Sequence, residues 1–141
     1  MRQHQESITV KTRGPGLIEI TDDVARVLAT AGIGTGLVTV FCQHTSASLL
    51  IQENADPDVQ RDLFAFFRRL VPEGDPLFIH TTEGPDDMPA HAKAALTQTS
   101  LPIPITAGRM VLGTWQGIYL FEHRTRPHTR RVVVHVVGTF A

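Results

Sequence analysis

Residues 130–138 read RRVVVHVVG. A strand with one wet face alternates apolar and polar side chains. This one does not, so both of its faces are expected to be covered, by helices or by another subunit. The segments before it are also strand-like: PIPIT (102–106), RMVLG (109–113) and TWQGIYLFEH (114–123), broken by AGR and RTRPH. Further out, SITVKT (7–12) and LIEI (17–20) flank the turn RGPG, GLVTVFCQ (36–43) reads as a buried strand, and HTSASLLIQE (44–53) continues after a polar break. LFIH (77–80) reads as one more short strand.

Three helices fit between these strands. Thr21 is placed to cap the first, with Asp22 and Asp23 in its opening turn and Gly32 at its end. The second has a cap at Asp56, Pro57 at the first helical position, and an apolar face of Val59, Leu63, Phe66 and Phe67. The third is short, AHAKAALTQ, entered through Asp87, Met88 and Pro89. Strands, helix, strands, two helices, then a run of strands predict an α+β domain whose sheet is largely antiparallel and curled. No internal repeat, long linker or low-complexity segment divides residues 1–141, so a single domain is expected.

Composition excludes several classes. The chain is 42% hydrophobic and 19% charged, with a formal charge of -1. No global field draws in nucleic acid or an anionic membrane, and no apolar run approaches the ~20 residues of a membrane span. MRQHQESITV has no apolar signal-peptide core, and the single Cys42 excludes an intrachain disulfide framework. A cytoplasmic protein is the expectation.

The seven histidines draw attention to TTEGPDDMPAHAKAAL (81–96). Asp87 and His91 are four apart, so their side chains can converge over the first helical turn, and His80 stands just before that turn. Imidazole plus carboxylate suits a divalent metal. Equally, Asp87 reads as a plain N-cap, Asp86 and Glu83 as solvated acids, and His91 as a surface residue. His44 lies in a polar bend with Thr45, Ser46 and Ser48, whose hydroxyls suit either phosphate oxygens or the local backbone. Cys42 reads as a small buried thiol. If its strand is regular, Glu122 shares a face with Gln116, Ile118, Leu120 and Arg124. It is then either a buried acid of raised pKa or the partner of Arg124. His135 reads as a packed, hydrogen-bonded core residue, His4 and His128 as terminal and turn residues, and His123 stays open. GPG and GIGTG lack the lysine and helix of a phosphate-binding P-loop.

Three segments together resemble one family: HTSASLLIQENADPDVQRDL (44–63), EGPDDMPAHAKAAL (83–96) and SLPIPITAGRMVLGTWQGIYLFEHR (100–124). They are similar to the YjbQ-like proteins, often described as secondary thiamine-phosphate synthases. The resemblance implies a compact α+β fold with a barrel-like sheet and three short helices, a homotrimer, and a site near the subunit contacts. It implies functional roles for His44, Thr45, Ser46, Asn54, His80, Glu83, Asp87, His91, Trp115, Gln116 and Glu122. His44, His80, His91, Asp87 and Glu83 would hold a divalent metal, zinc or magnesium. His44, Glu122 and Gln116 would act in catalysis, while Thr45, Ser46, Asn54 and Trp115 would line the binding pocket. One departure stands out: EHRTRPHTRR (122–131) replaces the Asp-Gly-Pro-Arg type of turn that follows the strand glutamate in many members.

The implied reaction joins a pyrimidine diphosphate to a thiazole phosphate, so diphosphate must leave and its oxygens need cations. Two other readings are a metal-dependent hydrolase of a small phosphorylated metabolite and a non-enzymatic trimeric metal- or metabolite-binding module. His44, His80 and His91 are expected to converge on one centre, with Asp87 or Glu83 as ligand or orienter and Glu122 as a nearby acid or base. Trp115 is expected to pack into a core or an interface.

Overall fold

The computed structural model describes residues 1–141. Its elements are β1 (Arg2–Lys11), β2 (Gly16–Glu19), α1 (Thr21–Ala31), β3 (Ile33–Cys42), β4 (Ala47–Glu53), α2 (Pro57–Leu70), α3 (Asp87–Leu96), β5 (Ser100–Thr106), β6 (Arg109–Met110), β7 (Gln116–Glu122) and β8 (Thr129–Phe140). They form two sheets, ordered β1-β8-β3-β5-β6 and β2-β7-β4, and every ladder is antiparallel. This is the expected α+β class with antiparallel, barrel-like strands and three helices. No helix is long and apolar enough to cross a membrane.

The valine-rich strand β8 is an interior strand of the larger sheet, paired with β1 on one side and β3 on the other. Its faces are not equivalent. Val132, Val134 and Val136 are fully buried, in one core with Val38 and Val40 of β3 and Ile118 and Leu120 of β7. Val133, His135 and Val137 are only half-buried, and His135 Nδ1 lies 2.9 Å from Gln5 Oε1. Within the single chain, then, helices cover only one face, and the expectation that His135 sits in the core is corrected. Helix α1 covers the core side through Val24, Val27, Leu28 and Ala31, and it stops at Gly32, whose φ of 66° suits glycine.

Strand β7 is buried on both sides. Ile118 and Leu120 face the common core, while Tyr119 and Phe121 face α2. Phe67 meets the Phe121 ring edge-on at 5.4 Å, and Gln60 donates to the Tyr119 hydroxyl at 2.9 Å. Asp56 caps α2 as expected, accepting from the Asp58 N–H at 2.9 Å. The rest of the helix's apolar face is left open, with Phe66 and Leu70 exposed.

Two local expectations fail. Thr21 does not cap α1: it is the first helical residue, and its hydroxyl accepts from the Ile118 N–H while donating to Glu19. The unpaired end of β7 competes for that oxygen more effectively than the helix's own amides. LFIH is an irregular segment rather than a strand, with Ile79 94% exposed. Its apolar residues have no neighbouring strand to pair with.

The stretch GIGTG enters β3, and Gly36 pairs there with Gly138 of β8. A Cβ at Gly36 would strike the Val137 carbonyl, and one at Gly138 would strike the Thr35 carbonyl. These glycines serve close backbone approach rather than phosphate binding. Gly36→Ala is therefore expected to lower stability by about 1–3 kcal/mol, the range for overpacking. A denaturant midpoint equal to wild type would refute this.

Candidate metal centre

The centre begins at the entrance of α3, where adjacent aspartates Asp86 and Asp87 are both buried. Two neighbouring carboxylates out of water need compensation, and Arg124 supplies it. Its Nε donates to Asp86 Oδ2 at 2.9 Å, one terminal nitrogen donates to Asp87 Oδ1 at 2.8 Å, and the other donates to the Glu83 carbonyl at 3.1 Å. Asp86 Oδ2 also accepts from the Thr125 N–H and hydroxyl, at 3.0 and 3.1 Å. Asp86 precedes the helix and makes no capping bond to it, and Asp87 is its first residue rather than its cap. The sequence expectations of an Asp87 cap and a solvated Asp86 are corrected: Arg124 draws both carboxylates inward.

With Oδ1 of Asp87 held by Arg124, Oδ2 faces two imidazoles. His80 Nε2 lies 2.8 Å away and His91 Nε2 3.1 Å away. One ligand atom from each of the three residues lies within 4.8 Å of the others, a spacing that suits a metal ion. Burial opposes ionisation of Asp87. The hydrogen bond from His80 and the charges of His91 and Arg124 override it, holding the carboxyl below the usual range.

The decisive contact is on the far side of His91. Its Nδ1 lies 2.9 Å from the carbonyl oxygen of Thr45, and a carbonyl only accepts, so Nδ1 carries the hydrogen. In a neutral ring Nε2 then presents a lone pair to the carboxylate oxygen 3.1 Å away. Two lone pairs at that distance repel unless a proton or a cation lies between them. A carbonyl that fixes the tautomer and points the other nitrogen inward is the usual outer support of a metal-binding histidine. The donor set, two imidazoles and one carboxylate, fits a zinc-type cation.

The structure brings His80, Asp87 and His91 together and leaves the other proposed ligands apart. His44 Nε2 accepts from the Arg131 N–H at 2.7 Å, and its Nδ1 stands 3.4 Å from Arg130. Burial and the Arg130 charge lower its pKa, which keeps the ring neutral, but its lone pair is already engaged. His44 thus does not converge with His80 and His91; the carbonyl of its neighbour Thr45 does. Glu83 is exposed and enters the cluster only through its backbone carbonyl. Ser46, buried, accepts from Arg130 at 3.0 Å.

Glu122 is fully buried and paired with Arg130, not with Arg124. Burial raises its pKa, but the bonds from Arg130 and Thr12 outweigh that and leave it lowered, not raised. The strand ends at Glu122, so Arg124 does not share its face and is free to reach α3. Gln116, Trp115 and Asn54 lie at the opposite end of β7. That seven-residue strand separates its ends by roughly 20 Å, at ~3.3 Å per residue. Gln116 Oε1 closes a turn by accepting from the Gly113 N–H at 2.8 Å, Asn54 is exposed, and Trp115 is 61% exposed. Within one chain these three do not line the pocket of the histidines, and Trp115 is not a core residue.

His123, left open by the sequence, is buried, with Nε2 2.9 Å from Ser48 Oγ. Its neutral form is favoured: burial and the Lys93 charge push its pKa down to about 3. No spacing signal identified it, because its partner comes from the neighbouring strand β4.

Comparison with known proteins places the chain. The profile of the UPF0047 protein YjbQ-like family matches residues 6–139, and the chain belongs to that family. It is 57% identical over 137 residues to a UPF0047 protein of Synechocystis, covering 97% of this chain and 93% of that one. It is 40% identical to the UPF0047 protein YjbQ of Escherichia coli O157:H7, covering 96% and 98%. The crystal structure of a YjbQ/UPF0047 family protein from Clostridium acetobutylicum superposes with a TM-score of 0.87 at 37% identity, covering 94% and 99%. None of these three names states a reaction.

The depressed pKa of His123 has a consequence for stability. An unfolded imidazole takes a proton below about 6.5, whereas the folded one resists until about 3. Stability carried by this group is complete above pH 6.5 and is lost as pH falls between those values. His123→Gln should flatten that part of the stability–pH curve by a few kcal/mol, whatever its effect at neutral pH. Parallel wild-type and variant curves from denaturant unfolding between pH 7 and pH 4 would contradict this assignment.

Proposed function

We propose that the chain is a metal-assisted enzyme acting on a small phosphorylated substrate, with His80, Asp87 and His91 holding a divalent cation. One observation supports this above the others: with Nδ1 of His91 held by the Thr45 carbonyl, its Nε2 and that of His80 are both directed at one carboxylate oxygen of Asp87. Two imidazoles favour zinc over magnesium, which prefers oxygen ligands. When bound, such an ion supplies Lewis-acid stabilisation of phosphate oxygens and an open position for water or substrate.

The chain's own groups do the rest. Arg124 lines an open polar cleft of about 560 Å3 together with Thr82, Glu83, Arg126 and His128. Arg124 is occupied by Asp86 and Asp87, so Arg126 is the cation at hand for a substrate phosphate. In the finer reading, the substrates are a pyrimidine diphosphate and a thiazole phosphate. The thiazole nitrogen needs no strong base, and the cleft's task is to hold the departing diphosphate. Three protein ligands also leave room for a water, which keeps metal-dependent hydrolysis of a phosphorylated metabolite as the second reading. Exposed Phe66, Leu70, Leu77, Ile79 and Trp115 further support a homotrimer that covers part of this apolar surface.

Metal content after zinc loading and dialysis tests the centre. Wild type should keep about one equivalent per chain, and His80→Ala and His91→Ala should lose it, while His44→Ala keeps it. Affinity should fall as the medium is made more acidic, because imidazolium has no lone pair to offer. Equal zinc content in wild type and His91→Ala would remove the metal reading. Coupling of the two thiamine precursors, assayed with wild type and Asp87→Asn, decides the finer one. For the assembly, light scattering should report three chains at micromolar concentration, and a monomer would refute the trimer.

A further inference from the structure

Helix α3 has a second functional face. Asp87 and His91 point one way; Pro89 and Lys93 are each two positions on, roughly 200° around the helix. There they line a separate cleft of about 200 Å3 with Arg68, Phe64, Thr125 and His123. Lys93 and Arg68 bring positive charge, and neither has a carboxylate within ion-pair distance. Asp86, also on the wall, is already neutralised by Arg124 and capped by Thr125. Glu73 is the one uncommitted acid there, and it offsets only one of the two cations.

His123 supplies the second observation. The residue is 3% exposed, its Nε2 is bound to Ser48, and its Nδ1 is the one buried side-chain polar atom left without a partner. Leaving such an atom unpaired is costly unless a ligand completes it. The Thr97 hydroxyl reaches Ser48 Oγ. Thr97 also meets the Lys93 carbonyl at 2.9 Å, so the direction of the Thr97–Ser48–His123 chain sets whether Nδ1 offers a proton or a lone pair; in both cases it is open to a ligand.

We propose that this cleft binds a small oxyanion of the phosphate or phosphate-ester class. Lys93 and Arg68 balance its charge, and His123 Nδ1 completes its hydrogen bonds, donating to a phosphate oxygen or accepting from a P–OH. Phe64 and Pro89 form a dry wall that strengthens those contacts. The site is independent of the metal reading, since it shares no ligand with His80 and His91.

Nitrogen-15 NMR of histidine-labelled, metal-free protein tests it, with inorganic phosphate as the probe. Phosphate should shift the His123 Nδ1 signal saturably and leave His80 and His91 in place. Lys93→Gln, checked for wild-type circular dichroism, should weaken that response at least ~10-fold, and Arg68→Gln should weaken it too. An unmoved His123 signal at saturating phosphate, or an unchanged response in Lys93→Gln, overturns the proposal. Zinc added afterwards reports on His80 and His91 separately, so failure of one site is distinguishable from failure of the other.

Discussion

The paired hydrogen bonds from Arg124 to Asp86 and Asp87 are the constraint on which the site depends. Two adjacent carboxylates at a helix entrance would ordinarily turn to water. Here one planar guanidinium, itself buried, engages both and reaches the Glu83 carbonyl as well. Desolvating three charges is expensive, and excellent geometry is what makes it tolerable. The geometry in turn fixes the turn from Glu83 to Asp87 and the first residue of α3. A second buried pair joins Glu122, two residues before Arg124, to Arg130, six residues after it. It joins the end of β7 to the start of β8, and the Thr12 hydroxyl adds the end of β1 at 2.7 Å. The polar end of the molecule is thus held by two buried arginines and their three ion pairs where the apolar core stops.

Much of the fold was legible because its signals are local. The Asp56-Pro57 entrance of α2 and the Gly32 exit of α1 depend on backbone geometry within a few residues, and both hold. The misreadings share a different cause. Thr21 was assigned to the helix it begins, but a β7 amide claims its hydroxyl. LFIH has strand-like composition, yet a strand exists only where a neighbour offers a ladder. His135 reads as a core residue among the β8 valines, while its ring lies on the half-buried face and meets Gln5 of β1. Each error concerns a partner distant in sequence.

The site divides in the same way. Asp87 and His91 are related by helical spacing, and His80 lies only one short turn before them, so their meeting was readable. His44 was grouped with them by residue type, and the fold instead turns its ring to the β8 backbone and sends the Thr45 carbonyl to His91. Backbone carbonyls carry no sequence signature, which is why that support was invisible. The resemblance joins Gln116, Trp115 and Asn54 to Glu122 in one site, and residue type alone gives no distance between them. A strand is also a spacer, and β7 holds them at its two ends.

The charge of the centre narrows the chemistry it suits. Asp86 and Asp87 carry two negative charges, and Arg124 returns one positive charge. A divalent cation held by His80, Asp87 and His91 would leave the cluster with one uncompensated positive charge. Glu83 and Arg126, both on the adjoining cleft, cancel each other at its rim. A cationic substrate would meet repulsion there, and a neutral one would gain little. An anion gains most, because the field is held by buried groups that salt screens weakly. Without Arg124 the same ligands would carry net zero charge with the ion bound, and that preference would vanish. The guanidinium that lets two aspartates be buried is therefore also the group that would make a cation-loaded centre electropositive.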